Sequence, residues 1–243
     1  YFATHDIHVP RMPHPRFQGR SPSGLRGDAI EQLDWSVGRV LETLDRLRLA
    51  DNTLVIFTSD NGPVLDDGYA DQAVEKVGKH KAAGPLRAGK YSIYEGGTRA
   101  PMLARWPGQI RRGTTSDALI SQVDLMATLG ALTGQRLTGN AGPDSFNLLP
   151  TLLGQSKQGR EYIVQHAGGV AIRKGDWKLI PEGQGSRREL LTRPEPGSPQ
   201  PLELYNLAAD PGETTNVAAK HPDIVRELSA LLEKVRTSPR TRP

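Results

Sequence analysis

Several short stretches of this sequence carry side chains suited to chemistry at an anionic centre. Ser59-Asp60-Asn61-Gly62 sets a carboxylate beside a carboxamide. Two hard oxygen ligands of low total charge suit calcium or magnesium. The glycine lets the chain turn tightly around an ion or anion. The same tetrapeptide is also a common plain turn after a strand. Lys90 follows a glycine and precedes Tyr94-Glu95-Gly96-Gly97-Thr98-Arg99-Ala100-Pro101. A lysine there can set a point charge on a tetrahedral oxyanion, or it can be a solvated surface cation. Glu95 and Arg99 flank the glycine pair, and an ion pair between them is expected to hold that turn. His8, in His5-Asp6-Ile7-His8-Val9-Pro10, can give a proton or a hydrogen bond to a leaving oxygen, or it can be structural. His5, His8 and His14 together suggest a transition-metal site. The sequence has no cysteine and no His-Glu-x-x-His pattern, so nothing supports that reading.

The elements that must position these residues follow from the apolar pattern. Prolines prevent a helix before Phe17, so a strand end followed by loop is expected there. Asp28 with Glu31 three residues on looks like a capping box. Ile30, Leu33, Val37, Val40, Leu41, Leu44 and Leu47 then recur at helical spacing, which predicts a helix over 29–48 with its apolar stripe on a core. Thr53 to Thr58 is a β-branched apolar run, read as a strand buried on both faces. Asp60, Asn61 and Gly62 sit just past its carboxyl end, where open α/β sheets bind ligands. Residues 63–89 are polar and Gly-rich without a period, long enough to be a functional loop. Met102 to Trp106 reads as a strand. A helix over 121–133 is capped by Ser121 and ended by Gly134.

From about residue 160 the texture changes. Tyr162–Gln165, Val170–Arg173, Trp177–Ile180 and Leu202–Leu207 read as short strands, with a hairpin turn at Lys174-Gly175-Asp176. Residues 182–201 read as an exposed loop. Pro222 opens a last helix with Ile224, Val225, Leu228, Leu231, Leu232 and Val235 on one face. The tail after Thr237 is expected to be disordered.

Composition sets the outer bounds. The 243 residues suit one domain of ordinary size, or a domain with a small appendage, and at 36% hydrophobic and 24% charged with a net charge of +4 they carry enough apolar mass for a core. No run approaches the ~20 apolar residues of a membrane helix. The scattered Lys and Arg form no nucleic-acid module. Without cysteine there is no disulfide and no thiolate metal site.

Taken in order, these pieces resemble the sulfatase family of the alkaline-phosphatase-like superfamily. The pieces are the histidine-proline strand end, the amphipathic helix, Ser59-Asp60-Asn61-Gly62, Gly89-Lys90 and Tyr94 to Pro101. Leu204-Tyr205-Asn206-Leu207 and Asp210-Pro211-Gly212-Glu213 with Asn216 resemble that family's small C-terminal subdomain. The resemblance implies an α/β fold: part of a mixed sheet sandwiched by helices over 1–158, and a small antiparallel sheet with a terminal helix over 159–243. It implies that Asp60 and Asn61 are calcium ligands, with magnesium as the other candidate ion. It implies that Lys90 contacts the sulfate and its bridging oxygen, and that His8 hydrogen-bonds the ester and can protonate the leaving alcohol. The His8 to Phe17 stretch resembles bacterial sulfatases acting on sulfated glycans, which suggests Arg11 and His14 as contacts to an anionic sugar. His166 is a further candidate, for which a solvated loop position is the stronger alternative.

The family's nucleophile is a formylglycine made from Cys or Ser in a Cys/Ser-x-Pro-x-Arg motif. No such motif occurs in this sequence, nor do the family's paired aspartates on its first strand. The resemblance therefore implies a missing N-terminal half as partner, a chain inactive alone, and an exposed apolar face with poor solubility of the isolated chain. It also implies a periplasmic or extracellular location and a sulfated-carbohydrate substrate. A phosphodiester or phosphonate hydrolase of the same superfamily remains an alternative, as does a non-catalytic binder of sulfated glycans.

Overall fold

The structure, a computed structural model, describes residues 1–184 and 201–242. The expected loop 182–201 lies for the most part outside the described residues.

Helix α1 spans Gly24–Arg46, starting earlier than the periodicity suggests. Asp28 is therefore not a cap but lies inside the helix, fully buried. Its carboxylate accepts from the backbone N–H groups of Gly19, Arg20 and Ser21 at 2.8, 3.0 and 2.8 Å, tying the preceding loop to the helix. Glu31 pairs with Arg20 instead of closing a capping box. The apolar stripe is only partly covered: Leu33, Val37, Leu41 and Leu44 are half-buried, while Ile30, Val40 and Leu47 are exposed. The helix's fully buried residues are Arg26, Gly27, Asp28 and Ala29.

Strand β1 (Val55–Thr58) pairs antiparallel with β2 (Met102–Arg105), Val55 opposite Arg105 and Thr58 opposite Met102. Its residues are half-buried rather than buried on both faces, because β2 is its one partner among the described residues. The one-turn helix α2 (Glu95–Thr98) lies between the two strands in sequence. Helix α3 (Leu125–Leu132) follows a 3-10 turn at Gln122–Asp124. Gly134, at φ 71°, ends it. Asp124 is the hinge pin here. Its carboxylate accepts from the Ser121 and Phe146 N–H groups and receives the Arg160 guanidinium at 2.7–3.0 Å. Helix α4 (Leu149–Leu152) is one turn with proline in its first turn.

Strands β3 (Tyr162–His166), β4 (Val170–Lys174), β5 (Trp177–Ile180) and β6 (Glu203–Asn206) form an antiparallel sheet in sequence order. Side chains alternate across a strand, so Ala171 and Ile172 belong to different cores. Ile172, Leu179 and Leu204 meet Leu228 and Leu232 of helix α5 (Pro222–Thr237). Ala171, Ile180, Tyr205 and Leu207 meet Ala88, Ile93 and Tyr94 on the other face. The small sheet is thus sandwiched between α5 and the segment that carries Lys90. The Leu204–Leu207 and Asp210–Asn216 stretches build one corner of it. Asp210 accepts from the Thr214 and Thr215 N–H groups at 2.7 and 2.8 Å, and Asn216 accepts from Leu204 N at 3.1 Å. Residues 238–242 of the tail are placed rather than disordered, since Thr241 donates from its hydroxyl to Asp144 at 2.8 Å. No helix among the described residues is long and apolar enough to cross a membrane.

Candidate active site

Three glycines bring the chemical residues together. Gly62 N–H donates to the Gly97 carbonyl at 2.9 Å. A Cβ on Gly62 would lie 1.7 Å from Gly96 O, one on Gly96 would lie 2.2 Å from Arg87 O, and one on Gly97 would lie 2.1 Å from Ser92 O. Three stretches of backbone therefore stack at distances that only glycine allows. The Lys90 N–H closes the crossing on the Pro63 carbonyl at 2.8 Å. The turn after β1 and the Lys90 loop are fixed side by side as a result.

Lys90 Nζ lies 3.1 Å from His8 Nε2 and 3.1 Å from Asp67 Oδ2. The Tyr91 hydroxyl donates to Asp67 Oδ1 at 2.8 Å. The His8 Nδ1 sits 2.8 Å from the Val9 carbonyl. A carbonyl only accepts, so Nδ1 carries a proton and neutral His8 presents Nε2 as an acceptor to the ammonium. Burial works to raise the Asp67 carboxyl, but the Tyr91 hydroxyl and the Lys90 ammonium outweigh it and hold the group below its usual range. Burial likewise works against the Lys90 ammonium, yet its bonds to Asp67 and Tyr91 raise it above an ordinary lysine. The two groups thus stay charged as a pair. Tyr91 and Ala88 hold left-handed φ values of 74° and 60°, a strained backbone beside the lysine.

Asp60 is exposed, and among the described residues its carboxylate meets the Ser59 hydroxyl, at 3.5 Å. Asn61 donates from Nδ2 to the Gly62 carbonyl at 2.8 Å, and among the described residues its amide oxygen accepts no hydrogen bond. These two oxygens fit part of the ~6–8-oxygen shell of calcium. No group of three or more His, Asp or Glu suited to a metal gathers among the described residues.

The remaining expected residues are placed differently. Arg11 is buried at 3% exposure. Its guanidinium donates to Ile7, Leu65 and Val64 carbonyls and to Asp71 at 2.6 Å. In place of the expected contact to an anionic sugar, it braces the 64–71 stretch and so the loop that bears Asp67. His14 is exposed, and its Nδ1 accepts from Arg16 N at 3.3 Å over the short 3-10 turn. His166 is exposed at the end of β3. Neither is joined to the His8–Lys90–Asp67 cluster by a hydrogen bond or ion pair among the described residues. Glu95 does not pair with Arg99, which is exposed; it pairs with Lys178 and Arg173 of the small sheet instead. Sequence reasoning missed Asp67 and Tyr91. The only signal for Asp67 was its place in an unpatterned loop.

Residues 1–135 match the family model described as Sulfatase. The chain belongs to the sulfatase family. It is 52% identical over 239 residues to an N-acetylgalactosamine-6-O-sulfatase of Bacteroides thetaiotaomicron, covering 98% of this chain and 47% of that protein. It is 36% identical over 250 residues to human arylsulfatase A, covering 95% of this chain and 47% of that protein. A solved Bacteroides thetaiotaomicron sulfatase, described with the metabolism of multiple glycosaminoglycans, superposes with a TM-score of 0.91 at 52% identity over 97% of this chain and 49% of that one. The sulfatase chain therefore spans about half the length of these relatives. Its α/β fold of helices and antiparallel sheets is that of the matching region of the solved sulfatase, as the motifs imply.

Proposed function

We propose that this chain supplies the Lys90, His8 and Asp60–Asn61 side of the active site of a carbohydrate sulfatase, and that the reaction is hydrolysis of a sulfate ester to an alcohol and inorganic sulfate. The observation that carries this reading is the 3.1 Å approach of Lys90 Nζ to His8 Nε2, built by the glycine crossing beside the Asp60–Asn61 turn. Lys90 offers a fixed positive charge to the sulfate oxygens and to the bridging oxygen as negative charge grows there. His8, anchored through Nδ1, holds Nε2 against Lys90, and once protonated there it would pass that proton to the departing alcohol oxygen. Asp60 and Asn61 would hold calcium, or magnesium in its place, and such an ion neutralises sulfate charge when bound. The family's formylglycine nucleophile would come from residues other than these. Asp67 keeps Lys90 charged and aimed.

The relatives support a substrate class. An N-acetylgalactosamine-6-O-sulfatase at 52% identity over 98% of the chain supports a 6-O-sulfated N-acetylgalactosamine unit of a glycan. Exposed His14 and His166 remain candidates for contacts to its outer parts. A polymeric anionic substrate of this kind would favour a periplasmic or extracellular location.

The test is release of sulfate from N-acetylgalactosamine 6-sulfate by the active protein that carries this chain. Sulfate is expected, with loss of turnover on chelation and return on adding calcium. Preferential cleavage of phosphate or phosphonate esters would favour the hydrolase alternative, and binding of the sulfated sugar without turnover would favour the glycan-binding one. Asp67→Asn is expected to lower kcat roughly tenfold, a loss of about 1.4 kcal/mol, with little change in melting temperature. An unchanged kcat would mean that Lys90 needs no partner.

A further inference from the structure

Glu95 and Lys178 are 1% and 0% exposed, and Glu213 is 0% exposed. One side chain from each of three adjacent strands reaches Glu95. Gln165 of β3 donates to Oε1 at 3.0 Å, Arg173 of β4 to Oε2 at 3.2 Å, and Lys178 of β5 to Oε1 at 3.0 Å. Lys178 also donates to the Ile93 carbonyl at 2.8 Å and sits 3.0 Å from Glu213 Oε1. That last contact is an ion pair between two fully buried groups. The other Glu213 oxygen accepts the Glu95 backbone N–H at 2.6 Å. Burial pushes the Glu213 carboxyl up. Glu95 is held below its usual range, because Lys178, Gln165 and Arg173 outweigh its burial.

A buried cluster of this kind is a poor source of net stability, since apolar residues of equal volume often do as well or better. What it does supply is direction. Glu95 opens α2, and the next two residues are the glycines on which Gly62 stacks. Gly96 N–H donates to Arg87 O at 2.9 Å, and Lys90 N–H donates to Pro63 O at 2.8 Å. Moving Glu95 would therefore move the crossing that sets Asn61 and Lys90 side by side.

We propose that Lys178 is a positioning residue for the sulfate-ester site, acting through Glu95 and the glycine crossing, so that the small antiparallel sheet sets the geometry of reacting groups that Lys178 itself does not contact. This rests on the proposed sulfatase reading for its kinetic readout but not for its structural one. The test is Lys178→Met in the active protein that carries this chain, with amide hydrogen exchange and kinetics measured together. The Gly62 and Lys90 amides are expected to exchange at least tenfold faster, while amides of α5 around Leu228 keep their protection. kcat is expected to fall at least tenfold with KM within about twofold, and Lys178→Arg to restore part of it. Uniform loss of protection, or unchanged exchange at Gly62 and Lys90, overturns the proposal. Should the methionine variant not fold, Gln165→Ala decides. It removes one bond to Glu95 and one to Thr98, and unchanged exchange and kcat in that variant overturn the proposal equally. Should the protein release no sulfate at all, the exchange arm still stands or falls by itself.

Discussion

Gly62→Ala is expected to destabilise the protein by roughly 3 kcal/mol or more and to remove whatever activity the site supports. The added carbon would sit 1.7 Å from the Gly96 carbonyl oxygen and 2.8 Å from its carbonyl carbon. Both neighbours are backbone, so no rotamer change relieves the clash. The crossing has to open, and with it go the Gly62 to Gly97 bond and the placement of Lys90 against Pro63. Gly38 supplies the control. It lies within α1, and a Cβ there meets nothing within 4 Å. Gly38→Ala is expected to raise stability by about 0.5–1 kcal/mol, because glycine gives up more conformational freedom in a helix. Paired urea or thermal melts of the two variants check this. A Gly62→Ala protein that melts with the wild type would show that the crossing can relax, and the geometric account of the site would fail with it.

The split between what the sequence shows and what it hides follows the range of the interactions. Helix α5 was legible because Leu228 and Leu232 recur at the helical period and find the sheet face. The four short strands were legible as apolar stretches and a hairpin turn, and the pairing of the first three follows from short connections, whereas β6 comes back to β5 from more distant sequence. Lys178 was not legible. A lysine in a strand reads as an outward residue, yet it is fully buried because Glu95, far away in sequence, lies over that face. Arg11 misled for the same reason: beside two histidines it reads as an anion contact, and only the fold brings Asp71 within 2.6 Å of it. Asp28 and Glu31 matched a capping box locally, but three loop N–H groups compete for the aspartate and win. The candidate site was half legible. Asp60, Asn61 and Lys90 stand in recognisable motifs, whereas Asp67 comes from a loop whose path no periodicity records.

Lys90→Ala is expected to cost about 100- to 1,000-fold in kcat for sulfate release, or about 2.7–4 kcal/mol, the loss typical of removing one charge-stabilising donor from an active site. Lys90→Arg is expected to recover little. A guanidinium fork is wider than an ammonium and cannot occupy the space between Asp67 and His8 in the same way. The pH profile separates this charge role from proton transfer. Lys90 is raised above its ordinary value of 10.5. Its part in folding is therefore full below that value and is lost as pH rises through the folded value. Asp67 is depressed below its ordinary 3.8, so its part is present above that value and lost as pH falls through the folded one. Between these limits the pair stays ionised, and neither group can produce a break in the rate near neutral pH. Such a break belongs to another group. A Lys90→Ala protein that keeps its kcat would show that the assignment of a fixed charge to Lys90 is wrong.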